Sequence, residues 1–433
     1  MEKKGARTAL LINGARRVGK SFLVEEFAKN EFKSYIKIDF DNVEEETKDI
    51  ILNDSHNLDI FFKKLEAMFN VHLYEKESVI IFDEVQKLPK ARELIKYLVA
   101  DGRYYYMETG SLLSLKMNTK DIIIPSEEEQ YNLHPLTFDE FLIAKNELEL
   151  NDYIKDCYEN KRALGNALNR KAMNLFKEYM LVGGMPKVVD RYLETNDFKI
   201  ADDEKRLILN LYRNDIVKFA GTDAMKVFAI FDNIPSQLGK ENKKFIMSNI
   251  KEGARAREYE KAFMWLSEGM LVNICYNTVE PSYGLSMNIN DSKRKVYMAD
   301  TGLLATFAFM NDSYEKNDLY RDILLDKLGL NEGMLYENMV AEILRSKGIN
   351  LYYFSRYNKE KKRNDIELDF LYVKNRKVNV IEVKSSGTKR LSSLELAKKS
   401  YKNYLGDSIV INSKDFEVKD GITYLPIYMT YLL

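Results

Sequence analysis

The chain is 433 residues long, 45% hydrophobic and 31% charged, with a formal net charge of −1. That length exceeds one ordinary core and implies roughly two to four folded domains. The near-zero charge excludes a molecule drawn to nucleic acid or membrane by its overall field, so any basic surface must be local.

The first residues, MEKKGARTALLING, are basic with only four consecutive apolar residues, Ala9–Ile12, too short for the apolar core of a signal peptide. Apolar runs such as Val79–Phe82 and Ile122–Pro125 are strand-sized, far below the ~18 residues of a membrane span. Cys157 and Cys275 stand far apart and outside metal-ligand spacing, which excludes a disulfide framework and points to a reducing compartment. A cytoplasmic protein with no membrane partner is expected.

Thr8–Asn13 reads as a short apolar strand running directly into Gly14-Ala15-Arg16-Arg17-Val18-Gly19-Lys20-Ser21. The following SFLVEEFAKN reads as a helix, with Phe22, Leu23 and Phe27 on one face. Strand, glycine-rich turn and helix form the context that GxxxxGK[ST] requires. Gly14 and Gly19 let the backbone curl so that successive N–H groups point at phosphate oxygens. Lys20 adds a point charge near the β and γ phosphates, and the Ser21 hydroxyl is placed to ligate Mg²⁺. The expected cofactors are therefore ATP and Mg²⁺.

Tyr35–Phe40 is an outer-strand candidate. Ser78–Phe82 is a continuous apolar run, as a buried parallel strand should be, and it ends in Asp83 and Glu84. Ligands gather at the carboxyl ends of strands in a doubly wound sheet. Asp83 is expected to hold Mg²⁺ through water and Glu84 to polarise the attacking water. A helix follows around Ala91–Val99. The strand Arg103–Glu108 leads to Thr109 and Ser111, either sensors of the γ-phosphate or simply residues that turn the chain. Glu129–His134 completes five strands. His134 reads as a structural hydrogen-bonder, and His56 and His72 carry no signal.

GARRVGKS, IIFDEVQKL, ETGSLLSL, YNLHPLTFDEFL and LVGGMPKVVDRYL resemble, in that order, the motifs of a prokaryotic AAA+-type ATPase family whose ATPase precedes a C-terminal domain of unknown function. IPSQLGKENKKF, ARAREYEKAFMWL and KVYMADTGLL resemble that second part. The resemblance spans residues 8 to 385. It implies an AAA+-like core, a helical lid, a winged-helix-like segment and a nuclease-like fold at the end.

Phe138–Arg213 has helical spacing broken at Gly183-Gly184-Met185-Pro186, a sharp interruption between helices. It reads as a lid over the nucleotide, with Arg191 and Arg213 as alternative arginines for the γ-phosphate. Lys205–Ala220, Ala224–Leu238 and Arg257–Glu268 read as helices, and Leu271–Asn277 and Lys293–Ala299 as strands, a pattern compatible with a winged helix. Lys240–Arg257 holds six basic residues (Lys240, Lys243, Lys244, Lys251, Arg255, Arg257) against Glu241 and Glu252. It is the expected contact to a DNA backbone, or else a solvated face. Trp265 reads as core.

Leu335–Leu344 has helical spacing, with Glu337 in its first turn. After a strand at Leu351–Ser355, Ile366–Tyr372 and Val378–Lys384 alternate apolar and polar residues around a tight turn at Asn375-Arg376, as a hairpin does. Period-2 geometry sets Glu367 with Asp369 on one strand face and Glu382 with Lys384 on the other. If the faces coincide, Asp369 and Glu382 bind one divalent metal, with Lys384 beside them to activate a metal-bound water. This is the arrangement of the PD-(D/E)XK nuclease-like fold, which adds a helical glutamate where Glu337 stands. No proline precedes the acidic residue. Asp365 competes with Asp369, which is preferred because it lies on the strand.

The fold class expected is α/β: a P-loop NTPase (AAA+-like) parallel sheet with a helical lid, a winged-helix-like segment and a small α/β nuclease-like domain. Boundaries fall at 1–137, 138–220, 221–310 and 311–433. The functional expectation is an ATPase whose nucleotide cycle controls a metal-dependent nuclease-like module on DNA. The alternative is a nucleotide-dependent switch that binds a partner protein or DNA without cutting. A homo-oligomer is compatible with either.

Overall fold

The computed structural model describes residues 8–111, 125–308, 332–385 and 391–433. Most of the apolar run Ile122–Pro125 and the boundary expected at 311 lie outside them. The chain divides into two compact units, Met1–His134 with Glu268–Met270, and Pro135–Ser267 with Leu271–Leu433.

The first unit is built on a five-stranded, all-parallel sheet: β1 (Ala9–Gly14), β2 (Ser34–Asp39), β3 (Ser78–Asp83), β4 (Tyr105–Gly110) and β5 (Glu128–Leu133), in the order β2-β3-β4-β1-β5. All five strands stand within two residues of their sequence-based positions, and β4 separates β1 from β3. Because side chains alternate across a strand, β3 feeds two cores at once. Ile80 and Phe82 pack under helices Leu58–Phe69 and Pro89–Asp101 with Ile36, Ile38, Phe61 and Leu98. Val79 and Ile81 pack with Ile12, Met107, Val24 and Ala28 under helix Lys20–Glu31. That helix turns Val24 and Ala28 inward with Phe27 packed beside them, whereas the other two residues of the expected face are open: Phe22 is 72% exposed and Leu23 44%.

The second unit combines helices with an eight-stranded mixed sheet. Its order is β12 (Glu417–Lys419), β13 (Ile422–Pro426), β11 (Leu405–Asn412), β10 (Lys377–Val383), β9 (Arg363–Lys374), β8 (Tyr352–Asn358), β6 (Val272–Thr278) and β7 (Ile289–Met298). The strands expected as a wing do not stand apart. β6 pairs in parallel with β8, so β6 and β7 extend the C-terminal sheet across the boundary expected at 310. Helix Glu332–Ser346 is buried continuously from Met334 to Leu344. The turn between β9 and β10 uses Asn375 and Arg376 at φ 53° and 56°, the paired left-handed backbone of a two-residue hairpin loop.

The expected interruption after Val182 is a close-packed junction. A Cβ on Gly302 would stand 2.5 Å from the Val182 carbonyl and the Gly183 nitrogen. Asp300 ties the junction, accepting from the Gly184 N–H at 2.6 Å and the Leu303 N–H at 2.7 Å. Glu342 accepts from both the N–H (2.8 Å) and the hydroxyl (2.7 Å) of Thr301. Asn338 bonds the Met298 backbone in both directions. LVGGMP, ADTGLL and the Glu337 helix, far apart in sequence, therefore meet in one buried polar network.

Candidate functional site

The carboxyl ends of β1, β3 and β4 carry the chemistry of the first unit. Gly14 closes β1 where space is tightest: a Cβ there would lie 2.8 Å from the Leu133 carbonyl and 2.8 Å from Val18 Cγ1. Arg17 and Gly19 take φ of 70° and 94°, so the loop curls before helix Lys20–Glu31 begins. Ala15 and Val18 are buried, whereas Arg16 and Arg17 point outward. The loop thus keeps its backbone toward the inside of the curl, as a phosphate cradle requires.

Lys20 is 5% exposed and donates to the carbonyls of Gly14 and Ala15, both at 3.1 Å. Burial lowers its pKa, offset in part by Glu84 and Asp83. Ser21 Oγ donates to Asp83 Oδ1 at 2.8 Å, joining the two motifs across 62 residues of sequence. The same Asp83 oxygen accepts from the Thr109 hydroxyl, which in turn accepts the Glu84 N–H at 3.0 Å. Thr109, read as either a γ-phosphate sensor or a residue that turns the chain, here gives its hydroxyl hydrogen to Asp83 and accepts from the Glu84 backbone. Ser111 lies one residue beyond the end of β4.

Glu84 sits at φ 56° with its carboxylate bonded to the Gln86 amide. Lys37 on β2 lies 3.4 Å from Asp83 Oδ2 and 2.9 Å from Glu25 Oε2. Burial opposes the charge of Lys37, but Glu25 and Asp83 outweigh it and raise the pKa. Neither Gln86 nor Lys37 was singled out by sequence. Gln86 lies inside a quoted motif block, but Lys37 is a polar residue in an edge strand, with no pattern to mark it.

Beneath this site lies a buried charged group that sequence reasoning also missed. Arg92 grips Glu128 with two hydrogen bonds of 2.8 and 2.6 Å. Glu108 on β4 is fully buried, and neither carboxylate oxygen has a hydrogen-bond partner among the described residues. Burial first, then the Glu128 charge, push its pKa well up, against the pull of Arg92.

In the second unit the hairpin faces do coincide. The register pairs Ile381 with Phe370, so the next step sets Glu382 opposite Asp369, and the Val383 N–H donates to Asp369 Oδ2 at 3.1 Å. Lys384 Nζ is 2.8 Å from Glu382 Oε2 and 4.0 Å from Asp369 Oδ2. Asp365 is occupied elsewhere: Arg356 forks onto it at 3.0 Å twice, and that pair lowers its pKa to about 2.

Among the described residues no group of three His, Cys, Asp or Glu side chains is arranged to hold a metal ion. Ammonium groups lie between the carboxylates instead. Glu337 Oε1 bonds Lys243 Nζ. Its Oε2 lies 3.4 Å from Lys295 Nζ and accepts from the Tyr297 hydroxyl at 2.9 Å. Lys295 also reaches Asp369 Oδ1 at 3.5 Å and is 2% exposed. Burial opposes ionisation of Asp369, but Lys295 and Lys384 bring its pKa down. Burial and Asp369 push Glu382 up to about 8, opposed by Lys384. Lys295 was not singled out, although KVYMADTGLL contains it.

Of the basic run Lys240–Arg257, Lys240, Lys251, Arg255 and Arg257 are exposed, but Lys243 is consumed by Glu337 and Lys244 is half-buried. Arg191 pairs with Glu194 at 3.0 Å and Arg213 with Asp232 at 2.6 Å, so each lid candidate already has a carboxylate partner.

Three family models match consecutive parts of the chain: an AAA domain over residues 6–142, a domain of unknown function (DUF8612) over 173–314, and a domain of unknown function (DUF4143) over 332–430. An uncharacterized protein of Methanocaldococcus jannaschii is 21% identical, aligned over 96% of this chain and 83% of its own length. Among solved structures, the Aeropyrum pernix ORC1 protein in complex with DNA aligns at 12% identity and a TM-score of 0.26, covering 70% of this chain and 87% of that one. A signal-transduction ATPase of the STAND class with a tetratricopeptide repeat sensor, from Pyrococcus horikoshii, aligns at 10% identity and a TM-score of 0.26, covering 78% and 46%. The AAA-domain match falls on the unit that carries the P-loop, so residues 6–142 are similar to an AAA domain in both sequence and local geometry.

Proposed function

We propose that the chain hydrolyses ATP with magnesium and uses the nucleotide cycle to control binding, not cutting, by its second unit. The observation that carries the ATPase reading is the Ser21–Asp83 hydrogen bond. The serine gives its hydrogen to Asp83, so its oxygen keeps lone pairs to offer a cation, with the Asp83 carboxyl group beside it. Ser21 and, through water, Asp83 would hold magnesium, which when bound offsets charge on the β and γ phosphates. Lys20 exchanges its bonds to the Gly14 and Ala15 carbonyls for phosphate oxygens, and the loop N–H groups from Ala15 to Ser21 cradle the rest. Glu84 is the base toward the attacking water once its carboxylate leaves Gln86. Thr109 holds Asp83 and the Glu84 backbone in register.

For the second unit, the lysine-filled carboxylate cluster favours the switch over the nuclease. Each expected metal ligand has an ammonium neighbour, and the exposed Lys240, Lys251, Arg255 and Arg257 offer a surface for a DNA backbone. Among the described residues no helix is long and apolar enough to cross a membrane.

The test is ATP hydrolysis and plasmid cleavage on the same preparations, with Mg²⁺ or Mn²⁺, for wild type, Lys20→Ala, Glu84→Gln and Glu382→Ala. Hydrolysis is expected in wild type and Glu382→Ala and lost in the other two, with no cleavage in any. Metal-dependent cleavage abolished by Glu382→Ala refutes the switch; absent hydrolysis in wild type refutes the ATPase.

A further inference from the structure

We propose that Lys243 and Lys295 stand in place of a divalent cation in the second unit, and that removing them uncovers a cation site on Glu337, Asp369 and Glu382. The proposal rests on reading the second unit as non-cutting and explains what keeps it so.

Three carboxyl groups (Glu337, Asp369, Glu382) meet three ammonium groups (Lys243, Lys295, Lys384), so the cluster holds no net negative charge to draw a cation. Five of the six side chains are no more than 14% exposed, and Lys384 is 24% exposed. A divalent ion entering so balanced a group would leave two uncompensated positive charges in a desolvated place, at a cost of several kcal/mol per ion. The separations of 3.4 and 3.5 Å from Lys295 to Glu337 and Asp369 are those of ammonium–carboxylate pairs. Metal–oxygen bonds would need roughly 2.0–2.6 Å.

One observation marks the place where a cation would go. Glu382 Oε1 is buried and has no hydrogen-bond partner among the described residues, although Glu382 is only 4% exposed. A carboxyl oxygen left bare beside Asp369, whose other oxygen shares Lys295 with Glu337, is a vacant ligand once the competing charge is gone.

The two lysines differ in how they are held. Lys295 is a strand residue of β7, opposite Cys275 on β6, and Tyr297 on the same strand face bonds the same Glu337 oxygen. Lys243 comes from the irregular segment between helix Ala224–Leu238 and the turn Met247–Asn249, anchored two residues on by the Phe245 N–H to the Arg294 carbonyl at 2.8 Å. Lys243 is therefore the detachable part of the clamp. It belongs to the basic run that faces solvent, so a polyanion bound there competes for the same ammonium group.

The experiment is Mn²⁺ binding to the full chain, free of nucleotide, followed by electron paramagnetic resonance of the unbound ion. The proteins are wild type, Lys243→Arg, Lys243→Ala, Lys295→Met and the Lys243→Ala/Lys295→Met pair, each also with Glu382→Ala. Thermal unfolding followed by circular dichroism reports that each is folded, and ATP hydrolysis that the first unit is unaffected, since neither lysine belongs to it. Binding is expected to strengthen at least about tenfold from wild type to Lys243→Ala, with each tenfold step worth about 1.4 kcal/mol. It should strengthen further in the pair, be lost with Glu382→Ala and stay absent in Lys243→Arg. Equal Mn²⁺ affinity in wild type and Lys243→Ala overturns the proposal, as does a pair of substitutions that leaves folded, ATP-hydrolysing protein with no site. In that last case the non-cutting reading stands. Wild-type Mn²⁺ binding accompanied by DNA cleavage overturns both.

Discussion

Replacing Thr109 with valine removes a hydroxyl while keeping volume and β-branching, and two contacts of the ATPase site go with it. Asp83 loses one of the two donors to Oδ1, and the Glu84 N–H, bonded at 3.0 Å, is stranded. A hydrogen bond to a charged group contributes roughly 1.5–3 kcal/mol, and an unsatisfied buried donor costs about 1–3 kcal/mol. The two are not additive, so a stability loss of about 2–4 kcal/mol is expected in urea or thermal unfolding of the nucleotide-free protein. The effect on turnover has a separate origin. Glu84 occupies left-handed backbone at φ 56°, a costly conformation for a residue with a side chain, and the Thr109 hydroxyl is one of the groups fixing it. If that alignment is worth about 1.4–2.8 kcal/mol in the transition state, kcat falls roughly 10- to 100-fold, with KM for ATP changed less, because Lys20 and the loop amides are untouched. Thr109→Ser keeps both bonds and should restore most of kcat. A Thr109→Val protein that loses stability yet keeps kcat within about twofold would refute the reasoning and leave Thr109 a structural residue only.

Arg92→Met breaks the fork onto Glu128, whose side chain is 1% exposed, and should cost about 3–5 kcal/mol in unfolding free energy because it leaves a buried carboxylate uncompensated. Glu108→Gln should be neutral or stabilising in the same assay, since burial already disfavours the charged form of Glu108. Gly302→Ala forces a Cβ to 2.5 Å from backbone atoms of Val182 and Gly183. It should destabilise by at least about 1–3 kcal/mol, seen as a lowered Tm. Glu382 is raised from 4.5 to about 8 in the fold, by burial and then by Asp369. The folded state therefore keeps a proton that the unfolded chain has released between those values. Its contribution to stability is fullest below pH 4.5 and falls as pH rises toward 8, with a limiting slope of about 1.4 kcal/mol per pH unit. Chemical denaturation from pH 5 to 9 should show that slope weakened in Glu382→Gln.

The first unit was legible because its signals are local and its sheet is buried on both faces. An apolar run such as Ser78–Phe82 admits few readings, and the P-loop carries its own strand and helix as flanks. Details set by three-dimensional competition were not legible. Phe22 and Leu23 look like a packing face, yet Val24 and Ala28 are the residues buried against the sheet. Thr109 has the residue type of a phosphate sensor, but a hydroxyl has one hydrogen to give, and here that hydrogen goes to Asp83.

The C-terminal cluster shows the same limit more sharply. The pairing of Asp369 with Glu382 followed from period-2 alternation and a tight turn, both properties of one short consecutive stretch, Ile366–Lys384. What occupies the space between the carboxylates comes from residues far away: Lys295 is 42 positions from Glu337 and Lys243 is 94. Their arrival depends on β6 and β7 joining the sheet beside β8 instead of forming a separate wing. An alternation pattern identifies which side chains share a face, but not which distant cation neutralises them. For a buried carboxylate trio, that neutralisation decides between a metal centre and a closed ionic cluster. Whether Lys243 stays in place when the exposed basic residues around it meet a polyanion is therefore the point on which the function of the second unit turns.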